Sequence, residues 1–146
     1  MDEKLKPLFA KARVVYSKEE FQLVGLPGAA NVSIGGEGFS AVVKEKGETT
    51  LILPTEKWHE LEPQLKNVKI KGPYKVVTLE MPELRETPGV LSEIASIFSR
   101  EGVASAPVSS FGNNHFLVRA GDAGKAIRGI ERAILGCKEA KAGEKE

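Results

Sequence analysis

The region from Tyr74 to Leu135 constrains the fold most, because strand and helix patterns follow one another there in an order that few folds accommodate. Residues 74–81 alternate between polar and apolar side chains, which predicts a half-buried strand. An amphipathic helix is predicted next, and then two strands, 104–111 and 115–120, that flank the turn Gly112-Asn113-Asn114. A second amphipathic helix completes the region. The order strand, helix, strand, strand, helix predicts a ferredoxin-like half of an α+β domain.

The corner between the first strand and the first helix carries Thr87-Pro88-Gly89. Threonine is a favoured N-cap, and proline is favoured at the first helical position because its missing N–H is not needed there. We therefore expect Thr87 to cap a helix that begins at Pro88 and ends at Gly102. Gly89 has no side chain, so a ligand could approach the backbone there. We expect the helix start to tolerate a side chain, so that Gly89→Val blocks a ligand and leaves the fold largely intact. The alternative is that these residues only start a helix.

The N-terminal half contains four strand-like runs, at residues 22–26, 39–45, 49–53 and 68–70. The run from Gly25 to Gly38 stands where a first helix is expected, and its glycines favour a flexible corner over a helix or a phosphate-binding loop. A short helix is predicted over Pro54–Leu65, with Trp58 facing inward. Gly72-Pro73 is a typical turn dipeptide and the predicted boundary between the halves.

One strand is missing from the C-terminal half, and one is in excess before the N-terminal half. Nothing after Leu135 alternates like a strand, whereas Ala12–Tyr16 does. An unpaired sheet edge is costly because its exposed backbone groups invite association. We predict that residues 13–16 cross over and complete the sheet of the C-terminal half. The alternative is a hairpin with Phe21–Leu26 inside the N-terminal half.

Composition excludes several classes of protein. Charged residues make up 28% of the chain but the formal net charge is only +1, which does not favour a nucleic-acid or membrane partner. The single cysteine, Cys137, cannot form an internal disulfide. Neither a membrane span nor a signal-peptide core is apparent, so we expect a cytoplasmic protein. The bias towards Glu and Lys is typical of hyperthermophiles, which suggests a hot-living source.

The order and spacing of these runs resemble the ACT domain, a regulatory module that binds amino acids. The resemblance is narrower to a subfamily of small tandem ACT proteins, in which a compact, degenerate ACT half precedes a regular one. It is carried by Gly89-Val90-Leu91, by the run GVASAPVSSF from Gly102 to Phe111, and by His115-Phe116-Leu117-Val118. It covers about Arg13 to Leu135. It implies an α+β fold with two ferredoxin-like βαββαβ halves, antiparallel sheets and helices on one face.

The resemblance also implies a domain organisation. Residues 1–71 would form the degenerate ACT half, with its first strand shared with the other half, and residues 72–137 would form the regular half. Residues 138–146 contain no apolar side chain larger than alanine, so we expect them to be a disordered tail.

In ACT proteins the amino acid lies between the strand-to-helix corner and a strand of a neighbouring ACT unit, and backbone groups hold most of it. The resemblance therefore implies a ligand site on the corner and on the end of the central strand, around Val108–Phe111. The candidate residues are Arg85, Glu86, Thr87, Pro88, Gly89, Val90, Val108, Ser109, Ser110, Phe111, Asn113 and Asn114. The subfamily often has acidic residues in the turn, which are absent here. Glu86 would then hold the ligand's amine, or the site has changed specificity or been lost.

Catalysis and nucleic-acid binding are disfavoured. His59 and His115 lack metal-ligand spacing to a second ligand, so we predict solvated structural roles for both. Ser109 and Ser110 lack the context of a nucleophile. RNA binding by such a sheet requires exposed aromatic residues within a positive surface, which the central strand does not offer.

The sequence thus predicts a non-catalytic regulatory module that needs no cofactor and no metal. We expect it to bind an amino acid or a similar small molecule at an ACT–ACT interface, to form a homodimer, and to regulate a partner enzyme. The alternative is a structural scaffold that dimerises or docks on an enzyme and has no ligand of its own.

Overall fold

The computed structural model describes residues 1–83 and 86–144. In chain order its helices and strands are α1 (Lys6–Ala10), β1 (Arg13–Tyr16), β2 (Phe21–Pro27), β3 (Ala41–Glu45), β4 (Glu48–Pro54), α2 (Thr55–Leu61), β5 (Lys69–Glu80), α3 (Val90–Arg100), β6 (Ser105–Ser109), β7 (Asn114–Arg119) and α4 (Ala123–Glu144). Short 3₁₀ turns follow α2 and precede α4. These elements form two compact units. Unit 1 contains Met1–Ser17 and the chain from Val76 onward, and unit 2 contains Lys18–Lys75.

The sheet of unit 1 has the strand order β1, β5, β7, β6. β1 pairs antiparallel with the second half of β5, with Arg13 opposite Glu80 and Tyr16 opposite Val77. β6 and β7 form an antiparallel hairpin, and β6 is the last strand in this order, so the expectation that strand 104–111 is central is wrong. This is the strand order of a ferredoxin-like sheet in which the N-terminal strand takes the fourth position. The predicted crossover of residues 13–16 is therefore confirmed, and the alternative hairpin is not formed.

Three helices cover one face of this sheet and bury the core of unit 1. Phe98 on α3 and Phe116 on β7 meet edge to face, with ring centroids 5.3 Å apart. Ile94 and Ile130 are fully buried on α3 and α4. Helix α1 was not predicted from the sequence, and its Phe9 is fully buried in the same core. The amphipathic patterns of α3 and α4 thus reflect burial against the sheet.

Unit 2 is a smaller sheet with the strand order β3, β4, β2, β5 and one helix, α2. Its core is small and consists of Val24, Leu26, Leu51, Leu53 and Trp58. The glycine-rich segment 28–40 forms neither helix nor strand, as its composition predicts. Trp58 on α2 is buried as expected.

The predicted turn at Gly72-Pro73 is wrong, because β5 continues through it. β2 pairs with β5 on both sides of this dipeptide, with Phe21 opposite Tyr74 and Leu23 opposite Lys71, and the register shifts between the two pairs. A Cβ atom at position 72 would lie 3.2 Å from the carbonyl oxygen of Phe21. Gly72 therefore allows β2 and β5 to approach each other closely at an irregularity in their pairing.

The start of α3 and the C-terminal end of α4 also differ from expectation. Gly89, not Thr87, is the N-cap of α3, and the helix begins at Val90. Gly102, with a φ of 71°, ends the helix as predicted. Of the predicted disordered tail 138–146, residues 138–144 are helical as the end of α4, and residues 145–146 lie outside the described residues. Residues 138–144 are mostly Ala, Lys and Glu, which have a high intrinsic helix propensity.

In the part of the chain that the structure describes, no helix is both long and apolar enough to cross a lipid bilayer.

Candidate functional site

Unit 1 contains a cleft of about 750 Å³ beside the end of β5. One wall comes from the end of β5 and the following corner, and the other comes from the end of β6 and the turn after it. The lining residues are Met81, Pro82, Glu83, Glu86, Ser109, Ser110, Phe111 and Gly112. The volume lies within the usual range for small-molecule sites.

The corner that forms the first wall is organised around the backbone of Glu83. The carbonyl oxygen of Glu83 accepts a hydrogen bond from the Glu86 N–H at 3.2 Å and one from the Thr87 hydroxyl at 3.3 Å. Glu83 itself has a φ of 59°, which is uncommon for a residue with a side chain. The tight turn leaves the carboxylates of Glu83 and Glu86 exposed at the cleft.

Gly89 ends this corner with a φ of 96°. A side chain is strained in this left-handed region, and a β-branched one especially so. The expectation that the helix start tolerates a side chain at position 89 is therefore wrong, because the backbone conformation itself requires glycine. The nearest atom to a Cβ at this position would be Leu5 Cδ1 at 3.7 Å, so the constraint is conformational and not one of space.

The second wall is the turn between β6 and β7. The Ser110 N–H donates to the carbonyl oxygen of Asn113 at 3.0 Å, and the Ser109 hydroxyl donates to Asn114 Oδ1 at 2.9 Å. These bonds close the turn and hold both serines on the cleft. Phe111, at the tip, is completely exposed.

Behind the second wall lies His115, which is only 9% exposed. Its Nδ1 is 2.8 Å from the Thr78 hydroxyl oxygen, and its Nε2 is 3.0 Å from the Ser110 hydroxyl oxygen. Burial lowers the pKa of the His115 imidazole from its ordinary value. The predicted solvated role of His115 is therefore wrong, whereas His59 is exposed as expected.

The structure brings together four of the predicted site residues, Glu86, Ser109, Ser110 and Phe111, on the two walls of the cleft. Arg85 lies outside the described residues. The remaining predicted residues do not line the cleft: Thr87, Pro88, Gly89, Val90, Val108, Asn113 and Asn114. Val90 is part of the core, and Asn114 is buried in β7.

Sequence reasoning missed Met81, Pro82, Glu83 and Gly112 as lining residues, and His115 behind them. The proline that follows Met81 is the one available signal, because it marks the end of the strand and hence the start of the corner. Among the described residues, no three His, Cys, Asp or Glu side chains are grouped so that they could hold a metal ion.

No protein-family model matches the sequence, and the comparison with curated proteins gives no match. Solved structures do resemble it. A protein of unknown function from Vibrio cholerae matches with a TM-score of 0.69 at 16% identity, covering 89% of this chain and 95% of that one. The regulatory subunit of aspartate kinase from Thermus flavus matches with a TM-score of 0.61 at 15% identity, covering 82% and 95%.

The aspartate kinase of Clostridium acetobutylicum matches with a TM-score of 0.66 at 18% identity, covering 83% of this chain but only 34% of that enzyme. At such low identities the likeness concerns the fold. It confirms the predicted α+β, ferredoxin-like fold, which this chain shares with the regulatory subunit of the Thermus flavus aspartate kinase.

Proposed function

We propose that this protein is a non-catalytic regulatory module that binds an amino acid in the cleft of unit 1. The observation that carries the proposal is the convergence of the strand-to-helix corner and the β6–β7 turn on one cleft. These are the two segments that the ACT resemblance implies for a ligand. The fold likeness to the regulatory subunit of an aspartate kinase supports a regulatory role.

The chemistry of the two walls suits a zwitterion. Glu83 and Glu86 on the first wall offer carboxylates to an ammonium group, and Ser110 on the second wall offers a hydroxyl to a carboxylate. The Ser109 hydroxyl already donates to Asn114 Oδ1. A hydrogen bond with a charged partner is about twice as strong as a neutral one, so the glutamates would dominate the binding of the amine. Their position on the corner replaces the acidic turn that is absent from this sequence.

A second copy of the chain is the proposed partner that completes the site. β6 is the last strand in the order of its sheet, and Pro107 within it is typical of an edge strand. Phe111 is fully exposed on the rim of the cleft, where a large aromatic side chain is a favourable anchor for a protein interface. Both features support a homodimer in which another ACT unit adjoins the cleft.

We propose that unit 2 is the degenerate half of a tandem ACT pair. Its strand order, β3, β4, β2, β5, has the ferredoxin-like pattern, and segment 28–40 stands in place of the first helix. The exposed surfaces of the protein would then transmit the ligand signal to an enzyme that it regulates.

A thermal-shift screen with the common L-amino acids tests the proposal. An amino acid at a hundred times its dissociation constant should stabilise the protein by about 2.7 kcal/mol, which raises Tm by roughly 5–10 °C. Glu86→Gln should weaken binding about tenfold, because it replaces a charged acceptor by a neutral one.

Glu139→Gln is the matched control, since Glu139 is exposed on α4 and does not line the cleft. It should leave the response unchanged. A flat response of the native protein to every amino acid would favour the alternative, a dimerisation or docking scaffold without a ligand.

A further inference from the structure

The His115 side chain forms a hydrogen-bonded chain that begins inside unit 1 and ends at the cleft. Thr78 on β5 contacts Nδ1 and Ser110 in the β6–β7 turn contacts Nε2, so both ring nitrogens have a hydroxyl partner. The imidazole is buried, whereas Ser110 is exposed and lines the cleft. A titratable group that solvent barely reaches is therefore one hydrogen bond away from a hydroxyl that lines the cleft.

The protonation state of His115 decides which way these hydrogen bonds run. A neutral imidazole has one donor and one acceptor nitrogen, and a charged imidazole has two donors. The Ser110 hydroxyl lies 3.0 Å from Nε2 but 3.3 Å from the carbonyl oxygen of Asn113. While His115 is neutral, we assign the hydroxyl proton to the shorter contact, so that Nε2 accepts from Ser110 and Nδ1 donates to Thr78.

Protonation reverses the bond to Ser110. The charged imidazole donates from Nε2 and the serine oxygen accepts. The serine O–H then no longer donates to the ring. That proton can then be donated to the Asn113 carbonyl or to a carboxylate in the cleft. While His115 is neutral, the Ser110 O–H is thus taken up by the imidazole. Once His115 is protonated, the Ser110 O–H is available to a carboxylate in the cleft.

We propose that His115 is a positioning residue that controls the hydrogen-bond polarity of Ser110 at the cleft, so that an amino-acid carboxylate binds more tightly when His115 is protonated. The inference rests on the proposed function of the cleft. Thr78 holds the imidazole ring in place, and the direction of the Ser110 hydrogen bond changes with the protonation of His115.

The charged groups near the hydrogen bonds of Thr78, His115 and Ser110 do not take over the role of His115. Strand alternation places Glu80 on the face of β5 that carries Thr78, and Glu80 pairs with Arg13 at 2.6 Å. Arg119 shares the face of β7 with His115 and is exposed, while Glu83 and Glu86 lie on the opposite wall of the cleft. Burial, and not any of these charges, lowers the pKa of His115. The ligand's carboxylate would oppose that effect.

Nuclear magnetic resonance on the full-length protein tests the switch without any ligand. The imidazole signals of His115 and the backbone amide signals of Phe111 and Gly112 are followed between about pH 5 and pH 8, the range in which histidines titrate. We expect the two amides to titrate together with the imidazole. Ser110→Ala should abolish this coupling, Ser110→Thr should preserve it because the hydroxyl remains, and His59→Gln should not affect it.

The thermal-shift screen with the common L-amino acids is then repeated across the same pH range. The strongest binder should have an affinity about fivefold higher, or more, at the acidic end in the native protein. By reciprocity, its saturation should raise the pKa of His115 by the corresponding amount. His115→Gln and Ser110→Ala should remove the dependence of affinity on pH.

The outcomes separate this inference from the proposed function. Two results would overturn the inference even if an amino acid binds. The amide signals could stay unchanged while His115 titrates, or the dependence of affinity on pH could persist in Ser110→Ala. No response to any amino acid at any pH would overturn the proposed function. The amide titration would still decide whether His115 controls Ser110.

Discussion

Arg13 and Glu80 are 67 residues apart in the sequence, and their side chains form a bidentate ion pair. Arg13 Nη2 lies 2.6 Å from Glu80 Oε1 and 3.1 Å from Oε2. The Arg13 side chain is 75% exposed, so the pair itself contributes at most about 1 kcal/mol. Its importance is positional, because the same two residues lie opposite each other in the pairing of β1 with β5. The N-terminal strand is thereby an integral part of unit 1.

The first prediction follows from that pairing. A fragment of residues 71–146 lacks β1 and α1, and with them the buried side chains of Leu5, Leu8 and Phe9. We expect it to aggregate or to melt without cooperativity, because a sheet edge and the apolar side of α4 around Ile130 and Ile134 become exposed. Size-exclusion chromatography and thermal unfolding measure this. A monomeric fragment that melts cooperatively would show that β1 is dispensable.

The second prediction concerns the corner glycine. Gly89→Val should lower the free energy of unfolding by at least about 1 kcal/mol, because φ at this position is 96°. Gly136→Ala is the matched control. No described atom lies within 4 Å of its would-be Cβ, and α4 is helical there, so we expect about 0.5–1 kcal/mol of stabilisation. Urea denaturation gives both values. A valine variant as stable as the native protein would contradict the left-handed geometry of the corner.

The fold was predictable where periodic patterns are long. The patterns of α3 and α4 and the surplus strand at residues 13–16 were sufficient for the α+β, ferredoxin-like arrangement. The five-residue helix α1 is too short to establish a helical period, although its Leu8 and Phe9 are buried. At Gly72-Pro73, pairing with β2 overrides the local preference for a turn. Local signals therefore failed where tertiary pairing decides the conformation.

The candidate site was predictable only in part, for a similar reason. Glu86, Ser109, Ser110 and Phe111 reach the cleft from two segments that sequence order alone cannot bring together; the ACT resemblance supplied that link. His115 was misjudged because residues 114–118 are all buried, so both faces of β7 are covered. A polar residue in such a strand can be satisfied by Thr78 and Ser110, which the sequence does not reveal.

The third prediction is a dependence of stability on pH that comes from His115. Burial lowers the pKa of this imidazole in the folded protein, while in the unfolded chain it titrates near its ordinary value of about 6.5. Between these two pKa values the unfolded chain binds more protons, so stability should fall as the pH drops below about 6.5 and level off below the folded pKa. The difference between native protein and His115→Gln in urea denaturation isolates this contribution. Parallel profiles for the two proteins would refute it.

The fourth prediction uses Cys137 to report on the docking of the N-terminal segment. Cys137 is 6% exposed, and its Sγ lies 3.5 Å from the sulfur of Met1. Burial raises the pKa of the thiol, so iodoacetamide should modify it slowly in the native protein. Leu8→Ala, which weakens the packing of α1, should accelerate labelling at least about tenfold.

Leu61→Ala serves as the control for Cys137 labelling, because Leu61 packs in the core of unit 2. It should leave the rate unchanged. Equal rates in the native protein and in Leu8→Ala would mean that the N-terminal segment does not protect the thiol.

The most direct test of the proposed ligand site is to map where an amino acid binds. The backbone amide signals of the full-length protein are recorded during titration with each amino acid that raises Tm. We predict saturable shifts concentrated at Glu83, Glu86 and residues 109–112, the two walls of the cleft. Shifts that are confined to residues 18–75, or that are equally strong in Glu86→Gln at the same concentrations, would contradict the assignment of the ligand site to unit 1.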